Sequence, residues 1–318
     1  MTSLLAEVGK RFAERWMTLL VLPGVLYVCA VAAAHHLEGF AFAPLAARVE
    51  ALAPRDNASA LLYLLVLGVV AAAAGIAASA AGSLIERLWL AENWLSWPRP
   101  LLRLALSRVA ARQRRWDTAH RAEAALRERY LRAQIPGSPP SGVTDLDLEL
   151  ALNRVLATAQ EPPARPTWMG DRLQAIVVRY RNECQLDLPS VWPHLWLMLP
   201  DQARTEVVEA RERITRATTL AGWAVLYVAV AVLWWPASAL VLGLFVTARQ
   251  RGRRAVETYA VLVEAATRLH APELARCLGL NHDGPLDARL GQAMTLLVQG
   301  QGGLIPLTVG WPHRRQPD

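Results

Sequence analysis

Residues 211–254 read RERITR, then ATTLAGWAVLYVAVAVLWWPASALVLGLFVTA, then RQRGRR. The apolar run Ala217–Ala248 has arginines on both sides and the triplet Trp234-Trp235-Pro236 inside it. A single bent helix would put the two arginine clusters on opposite sides of a membrane. The positive-inside rule places both on the cytoplasmic side. The run therefore reads as a hairpin: one helix to about Trp235, an outer turn at Trp235-Pro236, and a short helix from Pro236 to Ala248. The second limb reaches only about 20 Å, short for a full crossing at 1.5 Å per residue.

Two further apolar runs precede it. Residues 17–34 carry no charge and span about 27 Å as a helix, with Pro23-Gly24 as a bend. Lys10, Arg11 and Arg15 lie before this run, and Ala32-Ala33-Ala34 resembles a signal cleavage site. The apolar run is longer than a usual signal core, which favours an uncleaved anchor. Residues 60–82 are also uncharged, and two ridges of small residues run along them: Ala71, Gly75 and Ser79, and Ala74, Ala78 and Gly82. Small ridges let membrane helices approach closely. The 37–59 loop holds only Arg48 and Arg55, whereas the segment after residue 82 is rich in arginine.

The expected fold is thus all-α: an integral membrane protein with two transmembrane hairpins, four spans in all, and a helical cytoplasmic domain. Its parts are residues 1–82 (first hairpin, spans 17–34 and 60–82), 83–216 (cytoplasmic domain), 217–248 (second hairpin) and 249–318 (cytoplasmic helices and a loose tail). Both termini are expected inside, and the expected location is a bacterial cytoplasmic membrane.

Composition agrees. The chain has 318 residues, 53% hydrophobic and 19% charged, with a net charge of +7. Lys10 is its single lysine, so arginine carries the positive charge. Disorder is excluded by the apolar content, and a disulfide scaffold by three scattered cysteines, Cys29, Cys184 and Cys277.

The cytoplasmic domain opens on aromatics, Trp89, Trp94 and Trp97, suited to headgroup level. Leu101–Gln134 has no proline or glycine and reads as an amphipathic helix. Leu102, Val109, Trp116 and Tyr130 make one seam and Ala105, Ala119 and Leu126 the other, with Arg112 and Glu123 as exceptions. Its candidate surface for a partner or for lipid is Arg99, Arg103, Arg108, Arg112, Arg114 and Arg115. A solvated charged face is the plainer reading of such a row. After the break IPGSPPSG come short helices at Asp145–Ala159 and Asp171–Gln185. In Leu186–Asp201, prolines 189, 193 and 200 forbid one long helix, and Trp192 and Trp196 suggest an interfacial helix or a core plug. Trp234 and Trp235 are expected at the opposite interface. A helix from Asp201 or Thr205 leads into the 217–248 hairpin, another follows Arg254 to about Leu280, and a short one lies within Gly284–Val298.

Thr167-Trp168-Met169-Gly170-Asp171, Leu186-Asp187, Trp192-Pro193-His194-Leu195 and Leu199-Pro200 resemble a segment of uncharacterised, actinobacterial-type integral membrane proteins. That segment runs T-x-x-G-N, then L-D, then W-P-x-L and L-P. This chain differs at Asp171, at Glu183-Cys184-Gln185 and at His194. The resemblance implies a multi-pass topology and no catalytic residue.

The common nucleotide, hydrolase and zinc motifs are missing from the sequence, as are Asp, Glu, Lys, Arg and His within the proposed spans. His35-His36 with Glu38 reads as ordinary interfacial chemistry, His194 as structural, and the cysteines as plain thiols. Asn57-Ala58-Ser59 matches a glycosylation sequon, a short pattern that often arises by chance. No catalytic, cofactor or metal residue is expected. The leading expectation is a non-enzymatic membrane protein that docks a partner or the anionic membrane surface through its arginine-rich domain. The alternative is an oligomeric pore or permeability effector built from the alanine-rich helices. Expected partners are the lipid bilayer and a second copy or another protein; nucleic acid is not expected.

Overall fold

The computed structural model describes residues 22–36, 57–136, 139–140, 142–280, 282 and 284–304. The basic residues before the first span, Arg48, Arg55 and the tail beyond 304 lie outside them. The architecture is all-helical, with no strand among the described residues. In chain order the helices are α1 (Leu22–His36), α2 (Asn57–Leu90), α3 (Arg99–Ala133), α4 (Asp145–Thr158), α5 (Trp168–Cys184), α6 (Leu188–Met198), α7 (Asp201–Leu233), α8 (Ala237–Cys277) and α9 (Ala288–Val298). Short 3-10 turns lie at Trp94–Ser96 and Gly302–Leu304.

Two stretches are long and apolar enough to cross a membrane, Ala60–Leu90 of α2 and Asp201–Leu233 of α7. Of the four expected spans, two correspond to helices of this length and hydropathy, and the all-helical class is as expected. The first expected span is described only from Leu22, and its apolar part Leu22–Ala34 is short. The fourth is the beginning of α8, which continues without a break through the RQRGRR cluster to Cys277. The chain divides into two compact units, residues 1–86 with 213–252, and 87–212 with 253–318.

The first unit is built on small residues. Ala71 and Ala78 are wholly buried, and Ala74, Gly75 and Gly82 are buried beside them. A Cβ on Gly24 of α1 would run into the Ala71 carbonyl, and one on Gly222 of α7 into the Ala78 carbonyl. At Gly82 it would come within 2.9 Å of the Thr219 backbone. These glycines set backbone-to-backbone packing, the way helices associate where neighbouring lipid is as apolar as leucine. Tyr27 packs on Trp223 and edge-on to Tyr227, with ring centroids 6.2 and 5.4 Å apart. Val230, Ala34 and Ala237 close the cluster, with Trp234 against it. The polypeptide turns at Trp234–Pro236, and Trp235 is 69% exposed. The outer face of α2 leaves Leu61, Leu62, Leu64, Leu65 and Val69 more than half exposed. An apolar surface of that extent marks a lipid or protein contact.

The second unit has its core where α5, α6, α9 and the last third of α8 meet. Leu186, Val191, Leu195, Ala271, Ala275, Leu290 and Met294 are buried there at 1% exposure or less. Gly291 of α9 lies so close to the Cys184 carbonyl that no side chain fits. α6 is short, as the three prolines require, and carries Pro193 inside it. The ring removes one helical bond, to the Pro189 carbonyl. Both prolines face outward, where water satisfies that oxygen. α4 folds back antiparallel on α3: Tyr130 Oη donates to Asp145 at one end, and Trp116 Nε1 to the Ala159 carbonyl at the other. Thr144 and Asp147 cap α4 reciprocally in a capping box.

Candidate functional site: the joint that holds the basic arm

The C-terminus of α2 would leave several carbonyls unpaired. Two mechanisms satisfy them. The Glu92 amide bonds back to the Arg87 carbonyl across Ala91, a Schellman-type ending. Ala91 there has φ +50°, and Asn93 follows at φ +44°. A left-handed alanine costs roughly 1–2 kcal/mol, so other contacts must impose this turn. They come from Arg165 and the TWMGD stretch that follows it. Thr167 Oγ1 donates to the Trp89 carbonyl at 2.6 Å, and Arg165 Nη1 to the Leu90 carbonyl at 2.9 Å. Thr167 also caps α5 by accepting from the Gly170 amide. Gly170 is what allows the approach: a Cβ there would lie 2.7 Å from the Leu90 oxygen.

Asp171 completes the joint. One carboxylate oxygen accepts from the Ala164 and Arg165 amides, at 2.9 and 2.7 Å. The other accepts from Arg112 Nη2 at 2.6 Å and Nε at 3.2 Å. Arg112 Nη2 also reaches the Thr158 carbonyl, and Gln113 Nε2 the Pro163 carbonyl. One carboxylate thus ties α3, the end of α4 and the start of α5 together. Burial pushes the Asp171 carboxyl above its ordinary range, and its amide bonds and Arg112 pull it only part of the way back. Burial likewise lowers Arg165, against the pull of Asp171 and Glu92.

A second ion cluster adjoins it. Arg172, 4% exposed, makes a bidentate pair with Glu257 at 2.9 and 3.0 Å and donates to Glu264 at 2.9 Å. Burial pulls Arg172 down, but bonds to Glu257 and Glu264 outweigh it and leave the guanidinium above its usual value. Arg179 also meets Glu264, and Tyr180 Oη donates to the Glu264 carbonyl. Arg253 stacks over Trp168, 4.3 Å from the ring centroid, a cation–π contact. These charges partner one another, and the cluster reads as structural.

The sequence-level candidates therefore separate. Arg112 is not available to a partner: it lies in the seam of α3, and its guanidinium is spent inside the unit. Arg99, Arg103, Arg108, Arg114 and Arg115 are exposed, with no side-chain partner among the described residues. Ala71, Gly75 and Gly82 are buried in the first unit, and Ser79, half-buried, returns its hydroxyl to the Gly75 carbonyl. Trp192 and Trp196 lie on a helix that packs into the core of the second unit, as the core-plug reading has it. Their rings are 6.1 Å apart on a core helix, and Trp192 packs on Leu195's cluster. Trp234 packs inward, whereas Trp235 projects. His194 is exposed on α6. Cys184 is buried, and burial pushes its thiol up, away from reactive thiolate. No group of three or more His, Cys, Asp or Glu among the described residues could hold a metal.

Sequence reasoning missed Asp171, Arg165 and Thr167 as a joint. The signal was present, since Arg112 interrupts an otherwise apolar seam and needs an internal anion. No protein-family model, curated protein or solved structure matches this chain.

Proposed function

We propose that this protein is a non-enzymatic, multi-pass membrane protein of the bacterial cytoplasmic membrane that holds the α3–α4 arm out as a docking surface for an acidic partner protein. The observation that carries this reading is the division of labour along α3. Its buried side is fixed to α4 and α5 through Arg112 and Asp171, while Arg103, Arg114 and Arg121 recur on the opposite side and stay exposed. Rigid presentation lowers the entropy a docking partner must lose, and guanidiniums pair bidentately with carboxylates. α4 adds apolar area beside them, with Leu146 62% and Leu150 47% exposed.

Four spans in two hairpins, with both termini cytoplasmic, is the topology we propose. Support comes from the two long apolar helices, the turn at Trp234–Pro236 and the arginines flanking Ala217–Ala248. The short fourth limb is eased by the continuation of α8. Counted from the turn, Arg249 lies about level with Ala221, and long arginine stems can snorkel outward from that depth.

The test is in-cell photocrosslinking from position 118, an exposed site on the same face as Arg114 and Arg121. One discrete protein adduct, lost in Arg114→Glu/Arg115→Glu/Arg121→Glu while membrane insertion persists, is the expected result. Discrete ion conductance in liposomes, unchanged by those three reversals and without any adduct, would replace this reading with the pore.

A further inference from the structure

Exposed leucines recur across the second unit, and those between Leu95 and Arg108 stand among arginines. Leu95 is 69% exposed, Leu101 44% and Leu104 55%. Leu101, Leu104, Arg108, Ala111 and Arg115 follow the spacing of one helical face, so this face is apolar at its start and basic farther on. Arg99 and Arg103 flank it, and Arg99–Trp116 holds six arginines and no acidic residue. The half-buried Trp94 and Trp97 border Leu95 in sequence. Within the second unit these leucines keep large exposed areas.

What covers them follows from continuity and charge. α2, whose apolar stretch is long enough to cross a membrane, ends at Leu90, and α3 begins at Arg99. The turn at Ala91 and Asn93 is imposed by the joint, and Leu95 follows the end of α2 by only five residues of chain. Exposed leucines beside unpaired arginines and tryptophans suit a headgroup layer, where apolar side chains enter the acyl boundary and guanidiniums meet phosphate.

We infer that Leu95, Leu101 and Leu104, with Arg99, Arg103 and Arg108, form an interfacial anchor that docks the base of α3 into an anionic bilayer surface. The anchor rests on the reading of α2 as a span. It leaves Arg114 and Arg121 for the partner and ties the arm's base to lipid composition.

The test uses the full chain in nanodiscs of phosphatidylcholine, alone or mixed with phosphatidylglycerol. Cys29, Cys184 and Cys277 are replaced by alanine, and single nitroxide labels are placed through Val69→Cys, Leu95→Cys, Leu104→Cys or Leu131→Cys. Collision with oxygen and with a water-soluble nickel chelate reports depth. The expected pattern is bilayer interior at 69, headgroup depth at 95 and 104, and water at 131. Omitting phosphatidylglycerol, or introducing Arg99→Gln/Arg103→Gln/Arg108→Gln, should shift 104 toward water and leave 69 unchanged. An aqueous signal at 69 would remove the span on which the anchor depends. An interior signal at 69 with 95 and 104 matching 131 would overturn the anchor alone. Headgroup depth at 104 that ignores both lipid charge and the arginines would overturn its anionic specificity.

Discussion

Asp171→Ala is the sharpest perturbation of the joint. The carboxylate is 6% exposed and accepts from two amides and from Arg112. Removing it strands Arg112, whose side chain is 18% exposed. Breaking one partner of a buried pair costs about 3–5 kcal/mol. Each orphaned amide adds about 1–3 kcal/mol unless water reaches it. Arg112 keeps the Thr158 carbonyl and a little solvent, and the space left by the carboxylate admits water to the amides, so the lower end applies: about 3–4 kcal/mol. For a unit of this size that is roughly 6–16 °C in melting temperature. The assay is thermal unfolding in detergent beside Arg181→Ala. Arg181 holds Asp187 at a comparable 2.9 Å, but its side chain is 60% exposed. Such surface pairs contribute about 0–1 kcal/mol, so Arg181→Ala should shift melting by only a few degrees. Equal losses in the two variants would refute the claim that burial makes the Arg112–Asp171 contact special.

Other expectations follow from the same geometry. Because burial raises the Asp171 carboxyl pKa in the folded state, the proton-linked part of its contribution is fully present below the unfolded pKa and is lost as pH rises through the folded pKa, while the contact of the carboxylate with Arg112 and the amides remains. Melting curves should therefore show wild type gaining on Asp171→Asn as pH falls through the carboxylate range; a pH-independent difference would contradict this. Ala91→Gly should raise stability by up to about 1 kcal/mol by relieving the left-handed alanine, and denaturation showing a loss would mean the turn is not strained. Gly222→Ala should disrupt the first unit more than Leu64→Ala does, because its Cβ meets the Ala78 carbonyl whereas Leu64 is 64% exposed; size-exclusion profiles and melting in detergent would compare them.

Much of the helical plan was legible because it is local. The proline after two tryptophans marks the turn before α8, and the small residues at 71, 74, 78 and 82 announce close packing. The seam of α3 was legible too: Ala105 and Val109 are buried, and Leu102, Trp116 and Tyr130 half-buried. Even its exceptions are explained, Glu123 by Arg127 at 3.4 Å and Arg112 by Asp171. The identity of Asp171 as the partner was not legible, since 59 residues separate the two. Nor was the left-handed Ala91, which distant bonds from Thr167 and Arg165 impose against local preference. For the stretch with Trp192 and Trp196 the sequence left an interfacial helix and a core plug open, for a related reason. Aromatics beside prolines look interfacial, but Leu188, Val191 and Leu195 on the same short helix belong to one buried core with residues of α5, α8 and α9, which are distant in sequence.

The central claim is that a membrane-inserted hairpin pair carries the basic arm on the cytoplasmic side. Cysteine accessibility in intact cells tests it most directly. In a background with Cys29, Cys184 and Cys277 replaced, an impermeant maleimide should label Pro236→Cys and spare Arg121→Cys and Arg254→Cys until the membrane is opened. Labelling of Arg121→Cys or Arg254→Cys from outside, or a Pro236→Cys that reacts only after the membrane is opened, would contradict the account.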